Sequence, residues 1–141
     1  MNRKIILALF VIFVIMASAA AVSAVAHEEN FGKFTLSIDG QRTGNLSLHT
    51  DGEVMDMYEY DTPNGNVSVL YMSGKMDPDE VINDFIEEDG YKKIGPVGEF
   101  TLLETEDGKY EGVYFSDDYW VAVIFEDLNS GKAILESFKL T

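Results

Sequence analysis

The apolar positions of this chain change period along its length, and each change marks an element. Over residues 5–26 they are nearly continuous, interrupted only by Ser18 and Ser23. From Phe34 they alternate with polar residues, around Val81 to Ile86 they recur at helical spacing, and beyond Phe100 both parities are apolar. Alternation marks half-buried strands and the 3.6-residue period an amphipathic helix. The order therefore predicts strands, one helix, and then a sheet covered on both faces.

Phe34, Leu36 and Ile38 alternate with Thr35 and Ser37, and Leu46 and Leu48 repeat the alternation beyond the turn residues Asp39-Gly40 and Thr43-Gly44. Residues 54–60 and 67–72 form two further strands around Pro63-Asn64-Gly65-Asn66, where Asn-Gly is a strong hairpin signal. Taken as a two-residue type I′ loop, Asn64-Gly65 sets Tyr60 opposite Val69 and Tyr58 opposite Tyr71. One face of the ribbon is then aromatic and β-branched, while Glu59, Asp61 and Ser68 take the other.

Asp77 caps a helix over 78–89, with Pro78 at its first position and Glu80 completing a capping-box-like start. Val81, Ile82, Phe85 and Ile86 make its apolar stripe, and Asp89-Gly90 ends it. After Gly95-Pro96 the segments 99–105, 109–115 and 119–126 read as an antiparallel meander turning at Asp107-Gly108 and Asp117-Asp118. Two-residue loops at both turns align Phe100, Leu102, Val113, Phe115, Trp120, Ala122 and Ile124 on one face. Leu103, Tyr110, Tyr114, Val121, Val123 and Phe125 fall on the other. Both faces need covers: one is the 78–89 helix, and the other is the C-terminal segment, where Asn129 can cap a short helix over 132–136 ahead of an edge strand at 138–140, or where the tail is plain strand. The fold class is α+β, a mostly antiparallel sheet of six to seven strands with one amphipathic helix and a short C-terminal helix or strand packed on it.

The N-terminal run has the layout of a secretory signal peptide: Arg3 and Lys4, an apolar stretch, then small residues with A-x-A-like sites ending at Ala24 and Ala26. The rival reading is a retained membrane anchor, since the 22 residues 5–26, with only Ser18 and Ser23 polar, suffice to cross a bilayer core of roughly 30 Å. Thinning into Ala and Ser favours cleavage, which would leave one acidic domain over 27–141. The expected location is secreted or at the cell surface, with membrane contact only through residues 5–26 if they are retained.

Charge sharpens that picture. The ten basic residues less Arg3 and Lys4 leave eight against 25 acids, a formal −17 beyond the signal. Such a field repels nucleic acid and anionic lipid. No cysteine is present, which removes disulfides, structural Zn–thiolate sites and cysteine nucleophiles. The sequons at Asn45 and Asn66 are open to N-glycosylation in a host with that machinery.

Candidate chemistry is thin. The only histidines are His27, in a terminal segment read as flexible, and His49, beside Asp51; neither has a recognisable triad partner, His49 reads as a surface residue, and His27 with a freed terminal amine would make only a thin metal site. In the two-residue Asp107-Gly108 register Glu104 lies opposite Glu111, a like-charge pair that a hard cation such as Ca²⁺ would relieve with help from Asp107. A three-residue loop would separate the pair, and solvent-screened carboxylates are the plainer reading. Tyr58, Tyr60, Tyr71, Tyr110, Tyr114 and Tyr119 would make a stacking platform if exposed and core packing if covered, the second being ordinary for strands. No phosphate-binding loop occurs, and no cofactor is expected.

The element order, closing on Ile134-Leu135-Glu136-Ser137-Phe138-Lys139-Leu140, resembles the PsbP-like α/β/α fold, whose small exported members often close on an "ILxSFK" end. The signal region and acidic body also resemble small secreted proteins of methanogenic archaea of unassigned function. The resemblance implies an accessory or assembly role rather than catalysis. The leading expectation is thus a non-catalytic secreted or envelope-associated binding protein whose partner is an envelope protein or small ligand. Two alternatives stay open: a small secreted hydrolase using paired carboxylates, one raised in pKa by burial, and a calcium-stabilised surface module.

Overall fold

A computed structural model describes residues 26–141. The signal peptide or anchor read over 1–26 lies, but for Ala26, outside the described residues. In chain order these form β1 (His27–Asn30), β2 (Phe34–Ile38), β3 (Gln41–Thr50), β4 (Glu53–Thr62), β5 (Gly65–Ser73), α1 (Pro78–Asp89), β6 (Lys92–Val97), β7 (Phe100–Glu104), β8 (Tyr110–Phe115), β9 (Tyr119–Phe125), α2 (Leu128–Glu136) and β10 (Lys139–Leu140). The protein is α+β, with an antiparallel seven-stranded sheet in the order β3-β4-β5-β9-β8-β7-β6 and a small sheet in the order β1-β2-β10. Among the described residues no helix is long and apolar enough to cross a membrane.

The large sheet is covered twice, as its two apolar faces require. On one face Val81, Ile82 and Phe85 of α1 close over Met55, Met57, Leu70, Met72, Leu103, Val113, Trp120 and Ala122. On the other, Phe34, Leu36 and Ile38 of β2, with Ile134 and Leu135 of α2, pack on Tyr60, Val67, Val69, Phe100, Leu102, Val121, Val123 and Phe125. Asp39-Gly40 is thus the point where the chain passes from the small sheet to the large one, while Gly44 sits at a β-bulge inside β3 rather than in a turn.

Local chemistry sets both helices. The Asp77 carboxylate accepts from the Asp79 amide at 3.0 Å, Pro78 occupies the first turn, and Gly90 ends α1 in the left-handed region while Tyr91 N–H returns to Phe85 O at 3.0 Å. The C-terminal helix begins earlier than expected, at Leu128, because Asp127 and not Asn129 caps it, accepting from Ser130 N at 2.9 Å. It lies hard against the sheet: a Cβ on Gly131 would stand 1.9 Å from the Phe125 ring, and one on Gly112 2.7 Å from Leu135. Only glycine allows that approach.

Further expectations need correction. The β4–β5 turn centres on Pro63-Asn64, since Thr62 faces Gly65, so Tyr60 faces Val67 and Tyr58 faces Val69; a shift of two leaves every side chain on its expected face. The β7–β8 turn is one residue longer than assumed. Thr105 N–H bonds Lys109 O at 2.8 Å around Glu106-Asp107-Gly108, and that single step moves Phe100 and Leu102 to the face of Val121 and Val123 and puts Leu103 beside Trp120. His27 belongs to β1 and faces Ile38 instead of lying in a loose terminus. Lys92–Val97, outside the strands expected from the sequence, is the edge strand β6, where Pro96 is tolerated because it takes an outward-facing position with no ladder amide to lose.

Candidate functional site

The two open edges of the large sheet differ in how they are protected. Edge β6 carries Lys92 and Lys93, a register break between Lys93 and Gly95, and Pro96, each of which obstructs another strand. Edge β3 has its bulge near one end, between Arg42 and Gly44, and then runs regularly from Asn45 to Thr50. Residues 40–50 contain no Asp or Glu, in a chain with 25 of them.

The β3–β4 turn fixes which groups β3 presents. Asp51 and Gly52 take φ of 53° and 79°, and Thr50 faces Glu53, the geometry of a two-residue type I′ hairpin. Its closing pair is hydrogen-bonded, so Thr50, Leu48 and Leu46 direct their amides at β4 while His49, Ser47 and Asn45 direct theirs outward. The side chains of Leu46 and Leu48 pack half-buried on the α1 face, opposite Met57 and Met55; those of Asn45, Ser47 and His49 are exposed. The Ser47 hydroxyl donates to Asp56 Oδ1 across the hairpin. Among the described residues no strand pairs with the outer side of β3. The strand nearer its bulge is already engaged: Arg42 lies over the rings of Tyr58 and Tyr60 at 5.0 and 5.8 Å, donates to Tyr60 Oη at 3.3 Å, and reaches Glu29 at 3.7 Å.

A second unusual feature lies inside. Glu59, Asp61 and Glu111 are 1, 2 and 1 % exposed. Glu59 faces Ser68, Ser68 faces Ile124, and Ile124 faces Glu111, one row across β4, β5, β9 and β8 on the α1 side. Burial raises the Glu59 carboxyl to about 7; the Ser68 hydroxyl, donating to Oε2, opposes the rise and the Asp61 charge adds to it. Among the described residues Glu59 Oε1 has no hydrogen-bond partner. Glu59 and Glu111 stand three strands apart, about 14 Å between backbones, too far to act on one bond as a pair.

The residues singled out for metal binding separate. Glu104 faces Tyr110 and Glu111 faces Leu103, so the two carboxylates occupy opposite sides of the sheet and the proposed calcium pair is not formed. Asp107 sits in the turn, held by the Thr105 hydroxyl at 2.5 Å, and that bond lowers its carboxyl below the usual range. Among the described residues no group of three His, Cys, Asp or Glu can hold a metal ion. Of the sequon residues, Asn45 is exposed on β3 and Asn66 is half-buried at the start of β5, its amide donating to Glu126 Oε2 at 2.9 Å. His49 is exposed, and His27 Nε2 stands 3.4 Å from Glu29 Oε1.

The tyrosines pack. Tyr60 and Tyr119 are buried, and Tyr58, Tyr71, Tyr110 and Tyr114 lean half-buried on the core beneath β2 and α2. An open groove of about 400 Å³ lies near Lys33, Tyr119 and Leu140. Its lysine is paired with Asp118 at 3.3 Å, and the chain's own Thr141 bonds Gly32 O at 2.5 Å.

Sequence reasoning missed the open edge because strand order is not written in periodicity. The acid-free run 40–50 was the available signal. Compared with known families, curated proteins and solved structures, the chain matches none.

Proposed function

We propose that this is an exported, non-catalytic binding domain of the cell envelope, which takes its partner by strand addition along β3. The observation that carries this reading is the regular, acid-free stretch from Asn45 to Thr50, whose outward amides at 45, 47 and 49 are offered without the lysines, proline or mid-strand bulge that protect β6. Export rests on the signal-like residues 1–26, and an accessory role agrees with the PsbP-like resemblance. The field of an acidic surface keeps nucleic acid and anionic lipid away and leaves the neutral edge as the approachable surface.

The test is a photoreactive amino acid placed at Ser47, and separately at Ile94 on β6, in protein produced by its own host. Irradiation of intact cells is expected to yield an adduct from position 47 and none from position 94. The reading fails if position 47 yields no adduct.

A second reading, acid catalysis, is favoured by Glu59, whose carboxyl is raised by burial to about 7 and so keeps part of its protonated form near neutral pH. It requires substrate access to a group that is 1 % exposed. Hydrolysis of a glycan or peptide substrate that disappears in Glu59→Gln, with folding unchanged, would establish it.

A further inference from the structure

We infer that the strand added to β3 is β3 of a second copy of this chain, paired antiparallel about Ser47. This inference rests on the strand-addition reading above and names the partner. An antiparallel pair related by a two-fold axis perpendicular to the sheet keeps side chains on their own faces, so position i meets position j only when i and j have the same parity. The available centres in the regular stretch are then Leu46, Ser47 and Leu48.

Ser47 is the centre that uses the strand best. Its amide faces outward, so Ser47 meets Ser47 of the second copy in a hydrogen-bonded pair, and Asn45 meets His49 in two more. That gives about six main-chain hydrogen bonds. Between them Leu46 meets Leu48 twice in the closer, non-hydrogen-bonded positions. Because Leu46 already faces Met57 and Leu48 faces Met55, the seam continues an unbroken row, Met57-Leu46 running into Leu48-Met55 of the second copy. A centre at Leu46 sets Leu48 against Gly44, and one at Leu48 sets Leu46 against Thr50; each leaves one leucine without an apolar neighbour across the seam. The sequence of β3 is thus complementary to itself about one residue.

Charge permits the same partner. The rest of the surface repels a second acidic copy, but residues 40–50 bring no carboxylate to the seam. At the centre of the seam the acids that face each other, the two Asp56 residues, stand about 14 Å apart across three strand spacings, beyond the screening length of roughly 8 Å at physiological salt. Remaining long-range repulsion weakens as salt rises, so this association strengthens with salt. A basic peptide on the same edge would show the opposite dependence. The seam is small, and the dimer is expected to be a weak, concentration-dependent one.

The experiment is sedimentation velocity of the protein purified from its host, over a concentration series at low and high NaCl. Two substitutions are compared with wild type. Ser47→Pro removes an outward amide and blocks the pairing, at an edge position where proline is tolerated. Ser47→Glu sets two carboxylates against each other at the centre and serves should the proline variant fold poorly, circular dichroism reporting folding for both. The expected result is a monomer–dimer equilibrium that tightens with salt and weakens at least tenfold in each folded variant. A monomer at every concentration and salt, or a dimer indifferent to Ser47→Glu, overturns the inference. If position 47 then crosslinks to a different protein, strand addition stands and self-pairing alone has failed; if it crosslinks to nothing, both have failed.

Discussion

The Ser68 hydroxyl donates to Glu59 Oε2 across β4 and β5, at a carboxyl only 1 % exposed on the face beneath α1. Burial lifts Glu59 from 4.5 to about 7. Between those values the folded state holds a proton that the unfolded chain has released, so this group's stabilising contribution is full below about 4.5 and is lost as pH rises through 7. The loss is on the order of a few kcal/mol. Glu59→Gln keeps the size and removes the charge. In urea unfolding from pH 4 to 8, the variant's stability relative to wild type is expected to climb with pH, the gain concentrated between pH 5 and 7; a flat difference would show that Glu59 does not titrate there.

Gly131 tests the docking of α2. In an ordinary helix Gly→Ala stabilises by up to about 1 kcal/mol, but here the added Cβ meets the Phe125 ring at 1.9 Å. Gly131→Ala is therefore expected to destabilise by about 1–3 kcal/mol in denaturant unfolding. A neutral or stabilising result would mean that α2 sits farther from β9.

Calcium is expected to leave the melting temperature unchanged, as is a chelator, because Glu104 and Glu111 lie on opposite sides of the sheet. A rise of several degrees in millimolar Ca²⁺ that Glu104→Gln and Glu111→Gln each abolish would contradict the observed β7–β8 register.

The N-caps offer a graded control. Asp77→Ala and Asp127→Ala each remove a carboxylate that accepts one helix amide, at 3.0 and 2.9 Å. Each is expected to cost about 1 kcal/mol, measured by thermal unfolding.

Much of the fold was legible where a side-chain pattern carries it. Val81, Ile82 and Phe85 announced α1 with Asp77 and Gly90 at its ends, and Asp117-Asp118 gave the β8–β9 register as observed, Tyr114 facing Val121. The failures share one physical cause, that a pattern reports parity and not what lies above or beside it. Glu59, Asp61 and Ser68 were placed together on one face, yet nothing in alternating polar positions announces that the tertiary structure buries them. Phe100 and Leu102 changed face because a turn at Asp107-Gly108 and a turn at Glu106-Asp107-Gly108 leave the same apolar pattern. Nor does the periodicity of 41–50 or 92–97 announce that β3 and β6 are the outer strands, so the acid-free run 40–50 gains its meaning only once sheet order is known.

The most direct measurement of the central claim, that β3 is a binding edge, is amide hydrogen exchange of 45–49, resolved residue by residue in dilute and concentrated protein. Leu46 and Leu48, bonded to β4, are expected to exchange slowly throughout. Asn45, Ser47 and His49 are expected to exchange fast when dilute and to become protected together as concentration rises. If those three amides stay fast at high concentration and in the presence of the host's envelope extract, β3 takes no strand and the account is wrong.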